Sequence, residues 1–257
     1  MHLPTPEPVP DTPQQRAADR RQLQRALNAS LGFVLILAVA FFAQRGFDWG
    51  ALAVAPHEWR GLIGVLTSPL LHGSPEHLGA NAVALLLLGT LAGTVYPRAT
   101  LRSMPVLWIG SGLGAWLLGE AGTRHLGASG IAHGFMFLVF ALGLLRRDRP
   151  AIAAAMIAFF LYGGMLLTVL PHEAGVSWQA HLGGAVAGLL AAWLFRNADP
   201  IAPRKRYSWE LEDEALNAPA QQDQAQLEPA RPQDIPVLWQ RPDAPDTGVV
   251  LRFPRKS

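Results

Sequence analysis

The 257-residue chain has no cysteine, so disulfides and thiolate metal sites are excluded. It is also poor in charge: Asp, Glu, Lys and Arg make up 16% of it, against roughly 25% in a soluble domain. No HExxH or similar metal-ligand spacing occurs, and no metal or cofactor is expected. What the chain has instead is apolar sequence. Half of its residues are hydrophobic, and the mean hydropathy is +0.20 although both ends are polar, so the middle must be strongly apolar. The net charge of +2 and a pI near 9.4 would suggest an acidic partner in a soluble protein. Here the basic residues are read as topology signals in loops, and nucleic acid is not an expected partner.

The apolar residues fall into six runs, at 26–43, 78–95, 104–119, 126–145, 150–170 and 178–195. A helix needs about 20 such residues to cross a bilayer, and runs of this length favour helices over the short alternating strands of a barrel. The third run is short and Gly-rich. The first is preceded by a long, Pro-rich polar leader and followed by no clear cleavage site, so it reads as a retained anchor rather than a cleaved signal. Residues 1–25 read as a disordered tail ending in a short basic helix start, and 197–257 as a flexible tail. Within the latter, Trp239 and residues 249–251 offer a small binding segment as an alternative. The domain division is therefore 1–25, 26–196 and 197–257.

The distribution of Lys and Arg tests the span count. Arg16, Arg20, Arg21 and Arg25 precede the first run; Arg98 and Arg102 lie between the second and third. Arg146, Arg147 and Arg149 separate the fourth from the fifth, and Arg196, Arg204, Lys205 and Arg206 follow the sixth. The intervening loops hold only Arg45, Arg60 and Arg124. Cytoplasmic loops carry the excess, so both termini are expected inside, with an even number of spans. The fold class expected is all-α, a polytopic six-helix bundle in a lipid bilayer, most simply the plasma (inner) membrane. The connection at 44–73 carries Phe47, Trp49, Trp59 and Leu66 and is expected to lie in the outer interface.

Polar groups inside a bilayer are costly and mark function by default. Three sets stand out. Ser74 and Pro75 read as an N-cap and first helical residue, which places His77 and Asn81 on one helix face as two side-chain donors able to hold an oxyanion. Ser129 stands between Gly127 and Gly130 near a helix start, where backbone N–H groups bind anions. His181 precedes Gly183, Gly184 and Gly188, and the Gly184/Gly188 pair lets a neighbouring helix come close. Each set alone also has a structural explanation: a capping histidine and an interhelical Asn, a Gly130/Gly134 packing pair, and a histidine bonded to a carbonyl. Together they fall in the outer halves of the second, fourth and sixth runs, and a nucleophile, a base and a donor pair at one depth is what acyl transfer needs. No Asp or Glu lies inside a run, with Glu76, Glu120 and Glu173 at the edges. That favours a Ser-His dyad over a triad.

These residues resemble the rhomboid intramembrane serine proteases over roughly 26–196. The resemblance is carried by His72, His77 and Asn81 as HxxxxHxxxN, by Gly127 to Gly130 as GxSG, by His181 before its small-residue stripe, and by Trp59 and Arg60 in the first connection. It implies a serine endopeptidase with Ser129 as nucleophile and His181 as base. It also implies an oxyanion hole of His77, Asn81 and the Ser129 N–H, and transmembrane proteins as substrates. Two departures are visible. Where the family often has an aromatic residue four places after the serine, this chain has His133, and no Glu follows Asn81 on its helix. His133 shares a face with Ser129 and is expected to support the site by reaching Ser129, stacking on His181 or hydrogen-bonding; His72 is expected in a supporting place too. His57, His125 and His172 read as interfacial or loop residues. A metal site from His72, His77, His133 and His181 has no supporting spacing. The alternatives are an inactive rhomboid-like protein that binds transmembrane clients, and a small transporter, for which no internal repeat is found. Substrate, cut site and oligomeric state are not encoded in these motifs.

Overall fold

The computed structural model describes residues 12–171 and 175–200. Their helices are α1 (Pro13–Ala43), α2 (Ile63–Thr67), α3 (Pro75–Val95), α4 (Pro97–Leu118), α5 (Ser129–Arg146), α6 (Arg149–Tyr162) and α7 (Trp178–Phe195). No strand occurs among the described residues; a single antiparallel bridge joins Val54 to His125. His172, Glu173, Trp239 and 249–251 lie outside the described residues.

Four helices are long and apolar enough to cross a membrane: α1 as far as Gly46, α3, α5, and α6 as far as Leu166. Their outer surfaces carry large apolar side chains, such as Phe160 at 75% exposure and Val39 at 60%, a face suited to hydrocarbon and not to water. The six-span expectation is met only in part. α4 and α7 are long, but α4 carries Arg98, Arg102, Ser103 and Ser111, and α7 carries Gln179, His181 and three glycines. Part of the reason is visible in the packing: Ser103, Ser111, Gln179 and His181 are buried between helices and the glycines lie against neighbouring helices, while Arg98 and Arg102 are exposed near the start of α4. A Cβ on Gly183 would stand 2.4 Å from the Gly110 carbonyl, and one on Gly184 only 1.9 Å from the Gly130 carbonyl. One on Gly188 would stand 2.4 Å from that of Gly134. Close backbone approach through small residues replaces the hydrophobic effect, which is absent between helices in lipid.

α5 fills the centre, with Ile131, Leu138, Val139 and Leu142 fully buried against α3, α4, α6 and α7. The starts of α3, α5 and α7 lie at one end of the bundle. The segment 44–73, built of 3-10 turns and α2, covers that end. Its Val54 pairs with His125, and its Ser68 carbonyl accepts from Gly127 N–H at 2.9 Å.

Two boundaries differ from the sequence reading. Residues 13–25 are helical rather than a tail. Thr12 caps α1 through Gln15 N–H, Pro13 begins it, and a Gln15-to-Asp19 hydrogen bond spans one turn, in a stretch rich in good helix formers. The membrane domain also continues past residue 196: the Asp199 carboxylate accepts from the N–H groups of Arg98 and Ala99, both at 2.9 Å, and so caps α4. The fifth run breaks early, from α6 into a 3-10 turn at Gly163–Leu166.

Candidate active site

Three helix starts deliver the polar residues. α3 begins as its sequence suggests, with the Ser74 hydroxyl accepting from His77 N–H at 3.1 Å and Pro75 at N1. α5 begins at Ser129, and its N-cap Ala128 supplies no side-chain cap, so the first N–H groups of the helix have no side-chain acceptor there. Gly127, just before it, has φ +115°, a left-handed conformation that L side chains rarely adopt.

Ser129 and His181 meet across α5 and α7. Ser129 Oγ lies 2.8 Å from His181 Nε2, and His181 Nδ1 lies 3.0 Å from the Thr168 carbonyl. A carbonyl can only accept, so Nδ1 carries the proton and Nε2 is left with its lone pair toward the serine hydroxyl. The backbone contacts at Gly130/Gly184 and Gly134/Gly188 make this approach possible. A larger side chain there would push the two helices, and with them the pair, apart.

His133 stacks on His181 with ring centroids 3.9 Å apart and planes within 13°. Its Nδ1 donates to the Ser129 carbonyl at 2.7 Å, and its Nε2 lies 2.8 Å from the Thr168 hydroxyl oxygen, which also lies 3.1 Å from the Met165 carbonyl. It therefore contacts the serine backbone rather than Oγ. Thr168 thus holds both imidazoles, one through its carbonyl and one through its side chain. It was not singled out from the sequence. The available signal was its place as a polar residue near the end of an apolar run.

His77 and Asn81 face Gly127. A Cβ at position 127 would sit 2.7 Å from His77 Nε2 and 3.7 Å from Asn81 Nδ2, so glycine keeps the space before both groups open. Asn81 Nδ2 is buried with no hydrogen-bond partner among the described residues. Such a donor costs about 1–3 kcal/mol, and an acceptor entering the site would relieve it. His72 lies behind His77, edge to face at 5.1 Å, and is fully buried, with neither ring nitrogen hydrogen-bonded among the described residues. Burial, then the neighbouring His77, lowers its imidazole to about 4, so it is neutral at physiological pH. The Gln44 side-chain amide clamps its backbone from both sides, a contact no motif announces. His125 bridges Ser177 and Thr123, and the His57 ring meets the Gly119 carbonyl; neither contacts Ser129. No group of three or more metal-ligating side chains occurs among the described residues.

A helical bundle with lipid-compatible outer faces and a polar cluster between its helices marks an integral membrane protein. The family model for the Rhomboid domain matches residues 58–198, more than half of the chain. The chain therefore belongs to the rhomboid family. An uncharacterised protein of Mycobacterium tuberculosis is 34% identical over 204 residues, which cover 76% of this chain and 85% of the relative. An uncharacterised Mycobacterium leprae protein is 38% identical over 141 residues, 52% of this chain and 56% of the relative. Rhomboid-like protein 11, chloroplastic, of Arabidopsis thaliana is 27% identical over 210 residues, 71% of this chain and 72% of the relative.

Proposed function

We propose that this protein is an intramembrane serine endopeptidase that cuts membrane proteins in or beside a transmembrane segment. The observation that carries the reading is the 2.8 Å contact from Ser129 Oγ to His181 Nε2, with Nδ1 of the same ring committed to the Thr168 carbonyl. Ser129 Oγ attacks the peptide carbonyl carbon while its proton passes to His181 Nε2. The oxyanion is held by Asn81 Nδ2, by an N–H of the His77 ring and by the Ser129 backbone N–H. His181 returns the proton to the leaving amine, and the acyl-enzyme is then hydrolysed by water activated by the same ring. His133, stacked on His181, supports the ring through each half-reaction and keeps it in register. All six long helices cross the inner membrane in this reading, with both termini on the Arg-rich side.

A fluorophosphonate probe tests the proposal on the purified chain. The wild type is expected to label, and Ser129→Ala to lose both labelling and substrate cleavage, the latter by roughly 10³-fold or more. A well-folded wild type that neither labels nor cleaves overturns the proposal in favour of a client-binding rhomboid-like protein.

A further inference from the structure

A groove of about 640 Å³ runs between α1, α3 and α4 in the half of the bundle away from Ser129. It exists because α1 is pinned to α3 and stands off from α4. Gly93 faces Ala26 and Gly89 faces Ser30 so closely that a Cβ on either glycine would come within 3.0 and 2.7 Å. At the deep end α1 meets α4 again through Phe33 and Trp108, whose rings are 5.9 Å apart. The family match begins at residue 58, so α1, one wall of the groove, is outside it.

The two ends of the groove differ in chemistry. Its deep part is lined by Ala29, Phe33, Leu85, Met104 and Phe135. Its mouth carries Arg21, Arg25 and Thr100. The two arginines are four residues apart, hence on one face of α1. No Asp or Glu lines the groove among the described residues. The run from Arg21 to Phe33 is about 18 Å of helix. An acyl chain of about that length beneath a phosphate matches the groove in length, in its apolar depth and in the charge of its mouth.

We infer that this groove is a binding site for an anionic phospholipid, its phosphate held by Arg21 and Arg25 and one acyl chain lying against Ala29, Phe33 and Phe135. The site stands on membrane embedding alone and is independent of the protease reading.

Native mass spectrometry of the full chain in detergent tests it, with phosphatidylglycerol and phosphatidylcholine of identical acyl chains as probes. Wild type is expected to retain phosphatidylglycerol roughly tenfold or more over phosphatidylcholine. Arg21→Gln with Arg25→Gln loses that preference. Ala29→Trp, which fills the groove and leaves the charges intact, loses bound phosphatidylglycerol by a similar factor. Both variants are compared at matched thermal unfolding midpoints, and Arg25→Gln alone replaces the double variant if that one unfolds. Ser129→Ala retains lipid as wild type does, which separates this site from catalysis. Equal retention of the two lipids by wild type overturns the inference. So does unchanged phosphatidylglycerol binding in Ala29→Trp, which assigns surface charge only, or its displacement by millimolar inorganic phosphate, which assigns a small-anion site.

Discussion

At one end of the bundle, among the described residues, Asn81 Nδ2 and both ring nitrogens of His72 are buried without partners, and no carboxylate is hydrogen-bonded to Ser129, His133 or His181. At the other end, Asp199 accepts two backbone N–H groups. Arg146 pairs with Asp148 at 3.2 Å, donates to the Asp199 and Pro200 carbonyls and lies over the Tyr96 ring. In that half of the bundle the Thr90, Tyr96 and Thr100 hydroxyls are buried without partners among the described residues. Charges that are fully hydrogen-bonded stabilise, whereas a buried donor without a partner costs stability. Under the proposed function the contrast separates an end shaped for a reaction from an end shaped to hold the helices together, and substitutions at each end should fail in different ways.

The largest effect is expected at Asn81. Asn81→Ala should slow cleavage by roughly 10²–10³-fold, the loss found when one oxyanion donor is removed. Its unfolding midpoint should stay level or rise, because a buried orphan donor is deleted with it. Single-turnover cleavage and thermal unfolding in the same detergent read the two quantities. A lowered midpoint with wild-type cleavage would make Asn81 an interhelical tie and break the comparison.

A smaller effect is expected at His133. His133→Ala removes the ring stacked at 3.9 Å on His181 and frees Thr168, and should cost about tenfold in kcat with little change in KM. His133→Phe restores the stack without the hydrogen bonds and should recover most of that loss. Wild-type cleavage by the alanine variant removes His133 from the mechanism, and no rescue by phenylalanine assigns its part to the Thr168 contact instead.

The parts of this arrangement that were legible beforehand are those carried by side-chain type and spacing. The all-α architecture was legible, with four membrane-length helices at the first, second, fourth and fifth apolar runs; α7 has the bounds its run suggested, and the Ser74 cap sets the register of His77 and Asn81. Ser129, His181 and His133 stood out as polar groups in apolar surroundings. What was not legible is carried by backbone or by single contacts distant in sequence. The Thr168 carbonyl that sets the His181 tautomer could come from any residue type, and the amide of Gln44 on His72 spans 28 positions. α4 and α7 fall short of the apolar content of a membrane span, and the small residues that let them pack closely are among those that lower it. Residues 13–25 looked like a tail because they lack apolar periodicity, yet propensity and one cap are enough to extend a helix already anchored by its apolar half.

Asp199 gives the smallest effect and the sharpest contrast. It stands in a stretch whose composition reads as tail, yet it is 6% exposed and its two oxygens satisfy the first N–H groups of α4. Asp199→Ala leaves both N–H groups without that acceptor and removes a negative charge from a helix N-terminus. Each loss is modest, and together they amount to about 1 kcal/mol. For a domain of this size that lowers the unfolding midpoint by about 2–4 °C. Cleavage by the folded fraction should be unchanged, since Asp199 lies at the end of α7 opposite His181. Asp199→Asn keeps one acceptor oxygen and should fall between the two. A midpoint at the wild-type value would show that residues 197–200 merely rest on α4. Loss of cleavage at an unchanged midpoint would couple the two ends, and the division between a reactive end and a structural end would no longer hold.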